Sequence, residues 1–217
     1  GTANLTSAGV SDIFLAKYDA SGQYLWAIRM GSTNNDIPYD LALDGSGNVC
    51  LTGGFQGTVD FDPGAGTVHL TALGEDIFFA KYDASGNYLW AKRVGGNGSD
   101  FGSGLSIDGN GHICLTGAFE NTADFDPGAG TANLTSAGSQ DIFIAKYDAS
   151  GNYLWAKRIG DAGFDRGIAI ALDGSGNVHV TGDFENTADF DPGAGTANLT
   201  STGAGDIFIA KYTSAGN

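Results

Sequence analysis

Apolar and polar residues alternate along short segments of this chain, and one such segment recurs four times. In the copy DIFFAKYDASGNYLWAKR, residues 76–93, the alternation places Ile77 and Phe79 on one side and Phe78 on the other. A period of two is typical of a β-strand. Two alternating runs flank residues 83–87, where Asp can bond to the backbone ahead of it and Gly takes positive φ without steric cost. The segment therefore predicts a β-hairpin.

The hairpin belongs to a repeat whose period is 64 or 65 residues. An Asp-Ile-Phe triplet, a tryptophan and the motif FDPGAGT each recur at this step. The triplets begin at Asp12, Asp76, Asp141 and Asp206, the tryptophans are Trp26, Trp90 and Trp155, and FDPGAGT begins at Phe61, Phe125 and Phe190. A complete period holds four main strand segments, with an inserted hairpin around FDPGAGT between the second and the third. Since helical periodicity is not sustained over any eleven residues, an all-β protein is predicted.

Four strands joined by tight turns at a fixed period predict a β-propeller, in which four-stranded sheets, or blades, pack face to face. The chain, residues 1–217, is predicted to be one propeller segment of a little over three blades. Its pieces are a partial blade of third and fourth strands, two complete blades and a blade lacking its fourth strand, at residues 12–31, 41–95, 105–160 and 168–212. The tryptophan is expected to fill the gap between adjacent blades. Because the usual ring has four to eight blades, we expect a piece of a longer protein or a ring completed by another chain.

Two repeated motifs carry a family resemblance. They are D-I-F-x-A-K-Y-D-x-S-G-N-x-L-W-A and, after a glycine-rich link, A-L-D-x-S-G-N-V-x-V-T-G. Together they resemble the bacterial seven-bladed β-propeller repeat family and, more distantly, kelch repeats, over essentially the whole chain. The resemblance implies a propeller on secreted or cell-surface bacterial proteins, usually without an assigned reaction. The chain departs from that family in the inserted FDPGAGT hairpin, which lengthens the repeat.

Composition and charge narrow the classes of partner. With 41% hydrophobic and 16% charged residues the chain has enough apolar material for a core, and 36 glycines agree with many tight turns. The net charge of −15 predicts repulsion from nucleic acid and from anionic membranes. No apolar run is long enough to predict a membrane-spanning helix. Cys50 and Cys114 occupy matching places in two repeats, and we expect both to be small buried residues without a disulfide.

An acidic pair recurs in each inserted hairpin and is a candidate calcium site. Positions i and i+2 of a strand share a face, so the two carboxylates converge while the phenylalanine between them turns inward. Calcium takes six to eight oxygen ligands, and these carboxylates with the turn carbonyls supply part of that set. The alternative is a purely structural role, because Asp-Pro-Gly also suits a type II turn. The candidate ligands are Asp60, Asp62, Asp124, Asp126, Asp189 and Asp191.

A second set of aspartates lies in the links that join the fourth strand of one blade to the first strand of the next. These links differ most among the copies, and in a propeller they emerge on the same face as the insertions. Binding sites usually lie on variable loops of a rigid scaffold. The alternative is that each aspartate caps the turn before the first strand. The candidate ligand-binding residues are Asp36, Asp100 and Asp165.

These observations favour a non-enzymatic extracellular recognition or adhesion module that binds a protein or glycan through its loop-rich face. The histidines are scattered and the arginines are too few for a sialidase-like site, so an enzyme is not predicted. A glycan-cleaving enzyme, which needs two carboxylates in one pocket, is the least favoured alternative. A structural subunit that closes a ring or filament with further copies is another. The repeated Lys81, Lys146 and Lys211 are expected to shield sheet edges.

Overall fold

The computed structural model describes residues 3–217, so the first two residues of the predicted propeller segment 1–217 lie outside it. Within these residues the chain consists of β-strands, turns and irregular segments. They include no helix long and apolar enough to cross a membrane. The all-β prediction is confirmed.

The longer strands form four antiparallel sheets, which we name blades 1 to 4 in chain order. Blade 1 contains β1 (Ile13–Tyr18) and β2 (Tyr24–Met30). Blade 2 contains β3 (Asp36–Leu43), β4 (Val49–Asp60), β5 (His69–Tyr82) and β6 (Tyr88–Gly96). Blade 3 contains β7 (Phe101–Ile107), β8 (Ile113–Phe119), the inserted hairpin of β9 (Thr122–Asp124) and β10 (Asn133–Thr135), then β11 (Asp141–Tyr147) and β12 (Tyr153–Ile159). Blade 4 contains β13 (Arg166–Leu172), β14 (Val178–Phe184), the inserted hairpin of β15 (Thr187–Asp189) and β16 (Asn198–Thr200), then β17 (Asp206–Tyr212).

The first strands of successive blades lie against one another, as the inner strands of a propeller do. The Leu105 amide in β7 donates to Asp40 Oδ2 in β3 at 2.8 Å. On the other side of β7, the Ser103 hydroxyl donates to the Gly167 carbonyl in β13 at 2.5 Å. The remaining strands of each blade pair outward from these inner strands in sequence order. The fold is therefore a repeat β-propeller-like array, as the period predicted.

The hydrophobic core is divided among the gaps between blades. Between blades 2 and 3, for example, Ile77 and Phe79 of β5 pack with Leu105 and Tyr147 of blade 3. The rings of Phe79 and Tyr147 have centroids 4.5 Å apart. Complete burial of a side chain such as Phe79 stabilises the fold by about 1.5–3 kcal/mol. Cys50 also lies in this cluster, buried and without a disulfide, as does its counterpart in the next gap.

The Thr-Gly pair that ends each V-x-V-T-G motif has a packing explanation. A Cβ on Gly117 would lie 2.0 Å from the Phe101 carbonyl oxygen of the neighbouring strand, so only glycine fits there. The preceding Thr116 is buried, and its hydroxyl donates to the Phe143 carbonyl at 2.8 Å. The two residues fix the spacing of the second strand against the first and the third.

The tryptophan of each fourth strand lies against the third-to-fourth strand turn of the following blade. The Trp26 ring comes within 3.2 Å of where a Cβ on Gly86 would lie, and Trp26 Nε1 donates to the Ala84 carbonyl at 3.3 Å. Equivalent contacts join Trp90 to Gly151 in the next pair of blades. The ring thus occupies the gap between blades as predicted, although it is only partly buried.

The inserted hairpin connects its own blade to the preceding one. In blade 2 it is continuous with β4 and β5, which explains their unusual lengths of 12 and 14 residues. Gly31, at the end of blade 1, forms a bridge with Asp60 at the base of this hairpin. In blade 3 the same contact is a short ladder, in which Gly95 pairs with Asp124. The hairpin therefore lies along the outer strand of the preceding blade.

Candidate binding site at the blade junctions

The aspartates predicted to bind a ligand, Asp36, Asp100 and Asp165, are all fully buried. Asp100 Oδ2 accepts a hydrogen bond from the Gly96 amide at 2.8 Å, and its Oδ1 accepts one from the Glu120 amide at 2.9 Å. Asp36 and Asp165 each accept two backbone hydrogen bonds from the equivalent positions. Each carboxylate thus joins the link before a blade to the end of that blade's second strand. Ligand binding by these residues stays a prediction, and in this structure the loops cover them.

Burial changes the protonation chemistry of two of these carboxylates. Loss of solvent raises the pKa of Asp100 to about 6, and the backbone hydrogen bonds oppose the rise only in part. The pKa of Asp165 is raised to about 6 for the same reason. The neighbouring carboxylates Asp76 and Asp141 add to these two shifts by repulsion.

The acidic pairs of the insertions shape the hairpin turn. Asp60 Oδ1 accepts hydrogen bonds from the amides of Asp62 at 3.0 Å and Val68 at 2.8 Å. Asp62 Oδ1 accepts one from the Gly64 amide at 2.8 Å. The pairs Asp124 with Asp126 and Asp189 with Asp191 repeat this pattern. In residues 3–217 no three His, Cys, Asp or Glu side chains group closely enough to hold a metal ion, and calcium binding at these pairs stays a prediction. As predicted, the phenylalanine between the two aspartates is buried in each copy.

A cleft lies between the outer strand of one blade and the inserted hairpin of the next, and it is present at two junctions. The cleft between blades 2 and 3 has a volume of about 430 Å³ and is lined by Lys92, Arg93, Asp124 and Asp126. The cleft between blades 3 and 4 has a volume of about 370 Å³ and is lined by the equivalent Lys157, Arg158, Asp189 and Asp191. We call these the junction clefts. Each presents both signs of charge at matching positions.

The two basic residues of a junction cleft have different roles. Arg93 Nη1 donates to Asp76 Oδ2 at 2.7 Å, which holds the guanidinium beside a fully buried carboxylate. Lys92 forms no ion pair with any residue that the structure describes. The Lys92 stem lies close to Gly151 of the following blade. The lysine is therefore the basic group of the cleft without an ion pair. Its counterpart Lys157 donates to Asn217 Oδ1 at 3.4 Å.

Sequence reasoning missed the lysines of the junction clefts, although a signal was present. The same 32 positions separate Lys92 from Asp124 and Lys157 from Asp189. That spacing becomes meaningful only once the inserted hairpin is known to lie along the preceding blade. The first junction differs, since Ile28 occupies the place of the lysine there.

The expectation that the repeated lysines shield sheet edges was wrong for Lys81 and Lys146. Lys211 does lie on an edge strand, β17 of blade 4, where it pairs with Asp173 at 3.1 Å. Lys81 and Lys146 lie on the third strand of complete four-stranded blades, between two partner strands, and both are buried. Lys81 Nζ pairs with Asp44 in the first turn of its own blade at 2.8 Å. The pair holds the pKa of Asp44 well below its usual range, against the opposing effect of burial. These lysines fix the turns on the face opposite the insertions.

Comparison with known proteins gives distant relatives, and no protein-family model matches the chain. The chain is 29% identical over 199 residues to the Uncharacterized WD repeat-containing protein L264 of Acanthamoeba polyphaga mimivirus, covering 80% of this chain and 14% of that protein. It is 28% identical over 172 residues to the Regulatory protein FlaEY of Caulobacter vibrioides, covering 77% of this chain and 18% of that protein. The chain thus spans less than a fifth of either curated relative. The WD repeat name agrees with a repeat β-propeller type, whereas membership of the bacterial kelch-like family stays a prediction.

Proposed function

We propose that this chain is a non-enzymatic recognition module that binds a protein segment in its junction clefts. One observation carries the proposal: two clefts present a lysine that forms no ion pair with the described residues, opposite an acidic pair at equivalent positions. The printed names of the relatives, a WD repeat protein and a regulatory protein, support an interaction role. Extracellular adhesion is the setting we propose, on the basis of the family resemblance and the strong acidity of the chain.

A polypeptide suits these clefts because one segment can carry both acidic and basic side chains. The acidic groups would pair with Lys92 or Lys157, and the basic groups with the carboxylates of the hairpin. Equivalent clefts on successive blades also allow a long segment to bind at two places, which raises the overall affinity without new kinds of contact. Partly exposed charges of this kind contribute chiefly to specificity and to the rate of association.

A peptide array and a glycan array probed with the intact chain test this proposal. Selected peptides should bind more weakly to Lys92→Met and to Lys157→Met, and at least tenfold more weakly to the double variant, because each change removes a cation that has no carboxylate partner within the described chain. Asn110→Asp, on the opposite face, changes the net charge by the same amount as either single variant and should bind normally. Binding to glycans alone, or peptide binding unchanged in the double variant, would contradict the proposal. Repeating the measurement with a chelator tests the proposed calcium at the acidic pairs.

Self-association is a second candidate function, supported by the two outermost sheet faces of the described chain. Ile207 and Ile209 of blade 4 are 85% and 81% exposed, whereas the equivalent Ile142 and Ile144 of blade 3 are 0% and 1% exposed beneath the next blade. At the other end Phe14 is 64% exposed, although its equivalents in blades 2 to 4 are buried. The natural cover for each face is therefore another copy of the same repeat, in a head-to-tail contact.

Light scattering over a range of concentrations tests self-association. The chain should show a mass above that of one copy, rising with concentration, and Ile207→Thr with Ile209→Thr should restore a single copy. Leu73→Thr changes another exposed apolar residue, 64% exposed, on the third strand of blade 2 and should leave association intact. If the unchanged chain has the mass of a single copy at every concentration, self-association is contradicted.

A further inference from the structure

Two buried carboxylates face each other at the junction of blades 2 and 3. Asp76 lies in the third strand of blade 2, where it pairs with Phe55, and Asp100 lies in the link just before blade 3; both are fully buried. A Cβ on Gly95 would lie 2.5 Å from Asp76 Oδ1 and 2.9 Å from Asp100 Oδ2. Both oxygens therefore border the small space that this glycine leaves open.

The hydrogen bonds around the pair are incomplete. Asp100 accepts one bond on each oxygen, from the Gly96 and Glu120 amides. Asp76 Oδ2 is bonded to Arg93, but Asp76 Oδ1 has no donor among the described residues. A buried carboxylate oxygen without a hydrogen-bond donor is costly, because burial removes its favourable solvation.

The same arrangement recurs at the next junction. A Cβ on Gly160 would lie 2.6 Å from Asp165 Oδ2 and 3.3 Å from Asp141 Oδ1. Asp141 Oδ1 is buried and without a donor, and Asp141 Oδ2 is held by Arg158. At the first junction Asp12 Oδ1 likewise has no donor within residues 3–217. A carboxylate oxygen without a donor therefore recurs at all three junctions, which makes it a feature of the repeat and not of one loop.

More negative than positive side chains surround the Asp76–Asp100 pair. Arg93, from the outer strand of blade 2, is the one cation bonded to it within the described chain. Glu120, at the end of the second strand of blade 3, adds a further negative charge close to Asp100. Glu75, next to Asp76, accepts a hydrogen bond from the Ser99 hydroxyl beside Asp100. At the next junction Arg158 and Glu185 occupy the corresponding positions.

We propose that each pair, Asp76 with Asp100 and Asp141 with Asp165, binds one proton between its two carboxyl groups and that this proton tightens the blade junction. A proton supplies the missing donor for the open oxygen and removes one of the two facing charges. It suits the site better than a divalent cation, since residues 3–217 offer no group of three metal-ligating side chains. The inference does not depend on the ligand proposed for the junction clefts.

The sign of the pH effect follows from the folded state's affinity for the proton. Burial raises the pKa of Asp100 and of Asp165 to about 6, above the ordinary value of 3.8, and it also raises that of Asp76. A raised pKa means that the stabilisation is fully present below pH 3.8 and is lost as the pH rises through about 6. Between pH 5 and pH 8 the folded-to-unfolded ratio should fall about tenfold per pair, or about a hundredfold for both.

The variant Asp76→Asn with Asp141→Asn tests this assignment. In each, the amide oxygen can still accept from the arginine, while the amide nitrogen can donate to Asp100 or Asp165 without a proton from solvent. Urea unfolding from pH 5 to pH 8 should show the loss of stability in the unchanged chain and a much flatter profile in the double variant. Asp161→Asn, an exposed carboxylate in the link that contains Asp165, should keep the original profile.

Infrared spectroscopy of the folded chain at pH 5.5 reads the proton directly, so the test stands even where the double variant fails to fold. A carbonyl band of protonated carboxyl groups should be present and should disappear as the pH is raised to 8. An absent band would overturn the proposal. Stability that rises at pH 8 with added calcium or sodium, together with an absent band, would assign the site to a cation instead.

Discussion

The glycines of the third-to-fourth strand turns allow the tryptophan contact between blades to be measured. Gly22 and Gly86 occupy the same turn position, with φ of 79° and 84°. A Cβ on Gly86 would lie 3.2 Å from the Trp26 ring, whereas a Cβ on Gly22 would meet nothing within 4 Å. Alanine at either position costs the same backbone strain, but only Gly86→Ala disturbs the packing between blades 1 and 2.

Backbone strain and crowding against Trp26 contribute separately to the loss in the free energy of unfolding. An alanine in the left-handed conformation costs about 1–2 kcal/mol, and both variants share this cost. Crowding a packed site costs about 1–3 kcal/mol, and the partly exposed Trp26 ring can shift, so about 1 kcal/mol is expected here. Gly22→Ala should therefore destabilise the chain by about 1–2 kcal/mol and Gly86→Ala by about 2–3 kcal/mol.

Urea unfolding followed by circular dichroism measures both variants without relying on the tryptophan that the change disturbs. A third comparison places Gly86→Ala in a Trp26→Leu background, where its cost should fall to that of Gly22→Ala because the crowding is gone. Equal costs for the two glycine variants in the unchanged background would show that the ring does not hold the turn. The argument that tryptophan joins successive blades would then fail.

Three further outcomes test the buried polar groups. Tyr147→Phe removes a hydroxyl that donates to the Phe125 carbonyl at 3.1 Å, and urea unfolding should show a loss of about 1–2 kcal/mol. Burial raises the pKa of the Cys50 and Cys114 thiols to about 12, so a thiol reagent at pH 8 should modify the native chain far more slowly than the unfolded chain. Lys81→Met leaves the half-buried Asp44 without its cation, and thermal and urea unfolding should show a loss of about 2–3 kcal/mol. Changing that aspartate to asparagine as well should recover most of it.

The repeat made the strands predictable, because alternation marks each strand and the period assigns it to a blade. The same reasoning placed the buried phenylalanine of the insertion and the tryptophan between blades. It failed for Lys81, since alternation within a strand does not show how many strands lie on either side of it. In the complete blades 2 and 3 the third strand is central, so its lysine is buried and pairs with an aspartate of the first turn.

Contacts between copies were the part that the sequence could not supply. Asp76 and Asp100 lie 24 positions apart, as do Asp141 and Asp165, so their recurrence is visible in the sequence. Their convergence is not visible, because it depends on the chain leaving the outer strand of one blade and crossing to the inner strand of the next. A single repeat specifies a sheet, whereas the charges that meet at a junction are specified by two repeats together. The charged residues of the junctions therefore lie where neighbouring copies meet, so the effect of a substitution in one copy depends on the residues of the copy beside it.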